Sequence, residues 1–124
     1  MKLFLSIAAI LAWLFGGMLL FMPGPFYEPT GIAMTPILAT LAQAHGATLV
    51  GLGVIDWLAR SADQRGIVAV LAGNLIVQVL SLLVVVRTMS LGAGANVVPG
   101  VVIHLVLGGL FLFFLVKARR NGNH

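Results

Sequence analysis

The chain has no cysteine, which excludes a disulfide framework, a thiolate nucleophile and any cysteine metal site. Charge is scarce too. Basic residues number 7 and acidic residues 3 among 124, and charged residues make up 8%, against about a quarter in a soluble domain. With so few carboxylates there is no acid and base pair. No nucleophile with a base and an orienter is seen, and no phosphate loop, so the chain lacks the usual parts of an enzyme and no catalytic residues are expected. A net charge of +4 raises the question of nucleic acid. That function needs basic side chains gathered on a folded face with aromatics between them, whereas here they stand at the ends of apolar runs, so no nucleic-acid partner is expected.

What is abundant is apolar surface, at 60% of residues. It is arranged in four long runs, 3–22, 36–58, 67–88 and 98–116. Each is long enough to cross a bilayer as a helix. The first is too long for the apolar core of a signal peptide, about 7 to 15 residues, and no small-x-small cleavage site follows it. Between the first two runs, MPGPFYEPT holds Pro23, Pro25 and Pro29 and reads as a short loop that cannot continue a helix. Thr35 and Pro36 form a good helix start, a hydroxyl to cap and a proline at the first position. ARSADQRG, at 59–66, is the clearly polar internal segment and reads as a turn between antiparallel helices. SLGAGAN, at 90–96, is glycine-rich and reads as another turn, and the KARRNGNH tail reads as polar and frayed.

These runs predict an all-α fold, a transmembrane four-helix antiparallel bundle forming one membrane domain over 1–124. Lys2, Arg60, Arg65, Lys117, Arg119 and Arg120 then share one side and only Arg87 falls on the other. Basic residues hold short loops on the cytoplasmic side, so both termini are expected there, in a multi-pass protein of the inner, cytoplasmic membrane.

Small residues mark where helices approach. Ala8, Ala12 and Gly16 form a ridge on the first span, while the second carries two, Ala42 with Gly46 and Ala47 with Gly51. Such surplus ridges point to other membrane subunits as partners, besides the lipid bilayer. WLFGGMLLF in the first span and LVLGGLFLF in the fourth are alike, but nothing comparable links the second and third, so the likeness reads as composition rather than an internal repeat.

The second span also carries Gly46, Ala47, Leu49, Gly51, Leu52, Gly53, Trp57, Ala59 and Arg60, the form GAxLxGLGxxxWxAR. With an apolar first span, a proline-broken loop, a basic turn and two further spans, this order resembles a group of uncharacterised small bacterial four-span integral membrane proteins. The resemblance covers most of the chain. It implies the four-span fold and no activity.

Five polar features inside the spans are the candidate site residues. His45 and His104 are read as buried, one on each of two parallel spans, at roughly 14 Å and 8 Å from their outer ends. Two such imidazoles can hold a haem, and one can ligate the magnesium of a chlorophyll, with Gly108 leaving room for the ring. The preferred reading is a neutral histidine bonded to a neighbouring helix through Gln43, Thr48, Asn74, Gln78 or Ser81, with no cofactor and no metal site expected. Asn74, Gln78 and Ser81 fall within roughly one 80° arc of the third span. This polar stripe joins helices or, in a transporter or channel subunit, lines a path. Asp56 stands one turn before Arg60, which predicts a local ion pair at the inner interface, with a proton relay, or a place on a transport path, as the alternative. Trp13, in the middle of the first span, is expected to pack against neighbouring helices, with contact to a pigment or quinone as the alternative. The leading functional expectation is a non-catalytic structural or accessory subunit of a larger membrane complex, respiratory or photosynthetic.

Overall fold

A computed structural model describes residues 1–90 and 97–121. The glycine-rich turn expected at 90–96 lies, from 91 on, outside the described residues, as do 122–124. Regular structure among the described residues is helical: α1 (Lys2–Phe21), α2 (Pro23–Tyr27), a 3-10 turn (Glu28–Thr30), α3 (Pro36–Ala59), α4 (Gln64–Thr88) and α5 (Val98–Asn121). Four of these helices, of 20, 24, 25 and 24 residues, are long and apolar enough to cross a membrane. At about 1.5 Å per residue the shortest reaches roughly 30 Å, the thickness of a hydrocarbon core. Large apolar side chains face outward on them, Leu3 at 74% and Phe21 at 82% exposure among them, which suits lipid and not water. The chain is built as a multi-pass membrane protein.

The helix ends show where local chemistry decides. Thr35 accepts the amide of Leu38 at 3.2 Å with Pro36 in the first turn, so α3 starts where its cap is. At α4 the polar turn expected to run to Gly66 is cut short. Asp63 accepts the amide of Gly66 at 2.8 Å and the helix begins at Gln64, drawing Arg65 into its first turn. The proline loop also departs from expectation. Pro23 and Pro25 fall in a first turn, where the missing N–H would have no partner anyway, so 23–27 forms a short helix rather than an irregular loop. Gly31, at φ 73°, closes the 3-10 turn after it in a conformation that glycine adopts without cost. At the other end, α5 does not fray at Lys117 but runs on to Asn121. Arg119 and Arg120 in its last turn complement the negative end of the helix dipole.

The chain falls into two compact units, Met1–Ser61 and Ala62–His124. The first is a hairpin of α1 and α3. Its contacts pair Ser6 with Arg60, Ala9 with Gly53, Trp13 with Gly53 and Trp57, Gly16 with Gly46 and Val50, and Leu20 with Gln43, so the two helices run in opposite directions. On α3 these positions are 43, 46, 50, 53, 57 and 60, and on α1 they are 6, 9, 13, 16 and 20. Alternating steps of three and four make the seam of a heptad repeat. Of the ridge of Ala8, Ala12 and Gly16 read from the sequence, Gly16 lies on this seam, Ala8 is buried and Ala12 half-buried. Of the two ridges on α3, Ala42 and Gly46 are buried, whereas Ala47 and Gly51 are exposed.

The second unit is a hairpin of α4 and α5, also running in opposite directions. Gln64 meets Ala118, Gln78 meets His104 and Gly108, and Val85 meets Gly100. The paired glycines of α1 and α5 behave alike. A Cβ on Gly16 would stand 2.8 Å from the Gly46 carbonyl oxygen and one on Gly108 3.4 Å from the Gln78 Cβ, while Gly17 and Gly109 have nothing within 4 Å.

The closest approach of backbone to backbone is between Gly46 and α1. A Cβ there would lie 2.6 Å from the Gly16 carbonyl oxygen and 2.8 Å from the Leu20 amide nitrogen, both backbone atoms that cannot swing away. Gly46→Ala should therefore destabilise the fold by about 1 to 3 kcal/mol, the usual cost of overpacking. Gly51→Ala, one and a half turns on and open to its surroundings, should be neutral or stabilise by up to about 1 kcal/mol through helix propensity. Reversible unfolding in mixed micelles measures both, and equal effects would contradict the seam.

Candidate functional site

Polar side chains cluster in three places. At one end of the first hairpin the guanidinium of Arg60 lies flat over the indole of Trp57, its Cζ 3.2 Å from the ring centroid. Arg60 Nε donates to the Trp57 carbonyl at 2.8 Å and Nη1 to Ser6 Oγ at 3.2 Å, tying α3 to α1. Trp57 in turn packs against Trp13, centroids 5.5 Å apart and planes at 42°. The Trp13 ring occupies the space that a side chain at position 53 would need, since a Cβ on Gly53 would come within 2.6 Å of its Cδ1 and Nε1. Trp13 is thus a packed residue of the hairpin. Asp56, beside this cluster in sequence, is 1% exposed.

His45 stands differently from expectation. The sequence predicts a buried imidazole, whereas the side chain is exposed on α3. The reason is the heptad seam. Position 45 falls between the seam residues Gln43 and Gly46 in number yet points away from α1, because one residue turns the helix by about 100°. It borders a shallow, mostly apolar groove of about 220 Å³ shared with Tyr27, Met34, Leu38 and Leu41. Burial raises the pKa of the Tyr27 hydroxyl above its ordinary value. Phe26 holds this loop down, with its ring edge-on to Phe15 of α1 at 6.3 Å and to Tyr27 at 5.2 Å.

His104 is half-buried in the second hairpin, and its Nδ1 lies 2.7 Å from Gln78 Oε1. With Gln78 Oε1 as the acceptor, Nδ1 carries the hydrogen of this bond. Gln78 is 8% and Asn74 2% exposed, and Asn74 Nδ2 donates to the Val70 carbonyl at 3.1 Å. Ser81, the third member of the stripe, is half-buried. The stripe therefore carries a bond from α4 to α5 at Gln78. Among the described residues no group of three or more histidine or acidic side chains is placed to hold a metal ion.

Two further contacts escape a reading by residue type. Gln43 Nε2 donates to the Leu20 carbonyl at 3.1 Å, and Gln64 Nε2 donates to the Ala118 carbonyl. Both acceptors belong to the last turn of a helix, where carbonyls have no partner within their own helix. Heptad spacing from Gly46 would have marked Gln43 as a seam residue. Nothing in the local sequence marks Gln64, whose partner is chosen by how α5 packs on α4.

The Gln78–His104 bond makes a double-mutant test direct. Gln78→Leu and His104→Leu should each leave the hairpin folded, and the coupling between them should be about 0.6 to 2 kcal/mol, the range for interhelical hydrogen bonds in bilayers. Coupling indistinguishable from zero would remove the bond as a structural tie. No family model matches the chain, nor does any curated protein or solved structure, and its site is characterised by its own geometry.

Proposed function

We propose that the protein is a non-catalytic accessory subunit of a larger assembly in the cytoplasmic membrane, respiratory or photosynthetic in kind. The observation that carries this reading is the set of small residues left without a neighbour in their own hairpin. Gly17 on α1, Gly51 on α3 and Gly73 on α4 would each accept a Cβ without meeting any atom within 4 Å, and Ala47 beside Gly51 is exposed. Small residues at such positions let a foreign helix backbone approach closely, which is how helices associate where lipid removes the hydrophobic drive. The loops between the described helices are short, which leaves no room between the spans for a water-exposed domain.

A path for solute along Asn74, Gln78 and Ser81 is the less favoured reading, because Gln78 is committed to His104 and both amides are buried. Haem or chlorophyll ligation by His45 and His104 is also less favoured. Only His104 lies between the helices of a hairpin, whereas His45 is exposed on its own, which does not favour the two acting as a pair of axial ligands. Extraction in mild detergent, followed by native gels and mass spectrometry of the band, tests the subunit reading. The chain should migrate with other membrane polypeptides and without a Soret band. Migration solely as a monomer or homodimer counts against it, and a Soret band lost in His104→Ala would favour the cofactor reading.

In the membrane, the proposed arrangement is an antiparallel four-helix bundle with both ends cytoplasmic. The basic residues Lys2, Arg60, Arg65, Lys117, Arg119 and Arg120 support it by falling on one side when the spans alternate. Reporter fusions at Ala62 and after residue 124 should both read as cytoplasmic, and an external signal from either would exclude this orientation.

A further inference from the structure

One face of α5 is shaped for a ligand that no helix of the second hairpin supplies. Gly109, Leu112, Phe113, Val116, Lys117 and Arg120 line a groove of about 510 Å³. Their steps of three and one place them on one side of the helix, and all six are exposed. The upper wall is apolar, with a notch at Gly109, where nothing lies within 4 Å of the missing side chain. Phe113 forms the flank, its ring braced edge-on by Phe114 at 5.2 Å. The lower end is cationic, and α5 contains no acidic residue to neutralise Lys117 or Arg120.

The dimensions suit one leaflet. From Gly109 to Arg120 the helix rises roughly 16 Å, against a half-thickness of about 15 Å for the hydrocarbon core. Charge selects the headgroup. The negative end of the α5 dipole, equivalent to about half a charge, opposes an anion, but Lys117, Arg119 and Arg120 together outweigh it. We propose that this groove binds one anionic phospholipid, its acyl chain along Gly109, Leu112, Phe113 and Val116 and its phosphate between Lys117 and Arg120.

The test is retention of lipid by the purified full-length chain in mild detergent, read by native mass spectrometry after exposure to an equimolar mixture of phosphatidylglycerol and phosphatidylcholine. Two basic side chains at an anionic headgroup are worth about thirtyfold in affinity. The expected result is one retained phosphatidylglycerol per chain, with preference over phosphatidylcholine of that order. Lys117→Gln with Arg120→Gln should abolish the preference. Arg119→Gln, which removes a charge next door but off the groove, should leave it within about twofold. Gly109→Leu should lower retention of both lipids at least tenfold by filling the notch. Far-UV dichroism should be unchanged in every variant, since each altered position is exposed. Equal retention of the two lipids by the native chain would overturn the proposal. So would a loss in Arg119→Gln as large as that in the double variant, which would mean diffuse attraction to a basic tail, or undiminished retention in Gly109→Leu.

Discussion

Carbonyls in the last turn of a helix, which have no partner within that helix, are the constraint on which both hairpins depend. Inside a helix the i to i−4 ladder satisfies backbone carbonyls, but the last turn leaves several without a partner, and in a bilayer each such group is expensive. Both hairpins meet this need with a glutamine on the neighbouring helix, Gln43 for the Leu20 carbonyl and Gln64 for the Ala118 carbonyl. Opposed helix directions make the solution available, because they set the early turns of one helix beside the final turn of the other. These bonds also fix register, since sliding either helix by a turn would strand a carbonyl.

Beyond that shared device the hairpins hold together in different ways. In the first, Gly16 and Gly46 bring two backbones into contact, and the space conceded along α3 is refilled by Trp13 lying over Gly53 and against Trp57. Dispersion over such close surfaces is the main attraction available when lipid is as apolar as the helices themselves. Arg60 then lies over Trp57 and holds Ser6, so a cation that would be costly in hydrocarbon is kept at the end of the seam with its charge spread over a ring face. In the second hairpin the pair Gln78 and His104 supplies a directional bond instead.

The outward faces carry the functional reading. Glycines that touch a partner within their hairpin are explained by it, but Gly17, Gly51, Gly73 and Gly109 are not. On α5 the open glycine continues into two basic side chains, which gives that face a chemical preference the others lack.

By itself the sequence determined that the chain makes long apolar helices, where most of them begin, and that its basic residues gather at helix ends. Those features are local. Hydropathy, proline position and the Thr35 cap act within a few residues, so they are legible without a fold. It also named Gln78 among the partners a membrane histidine would need. The tertiary structure decided which face of each helix is inside. His45 is turned outward, because the seam follows a heptad set by glycine and tryptophan on two helices together. Small residues are common in any span. Only the packing of one helix against another selects which of them are used, and which polar side chain finds which carbonyl.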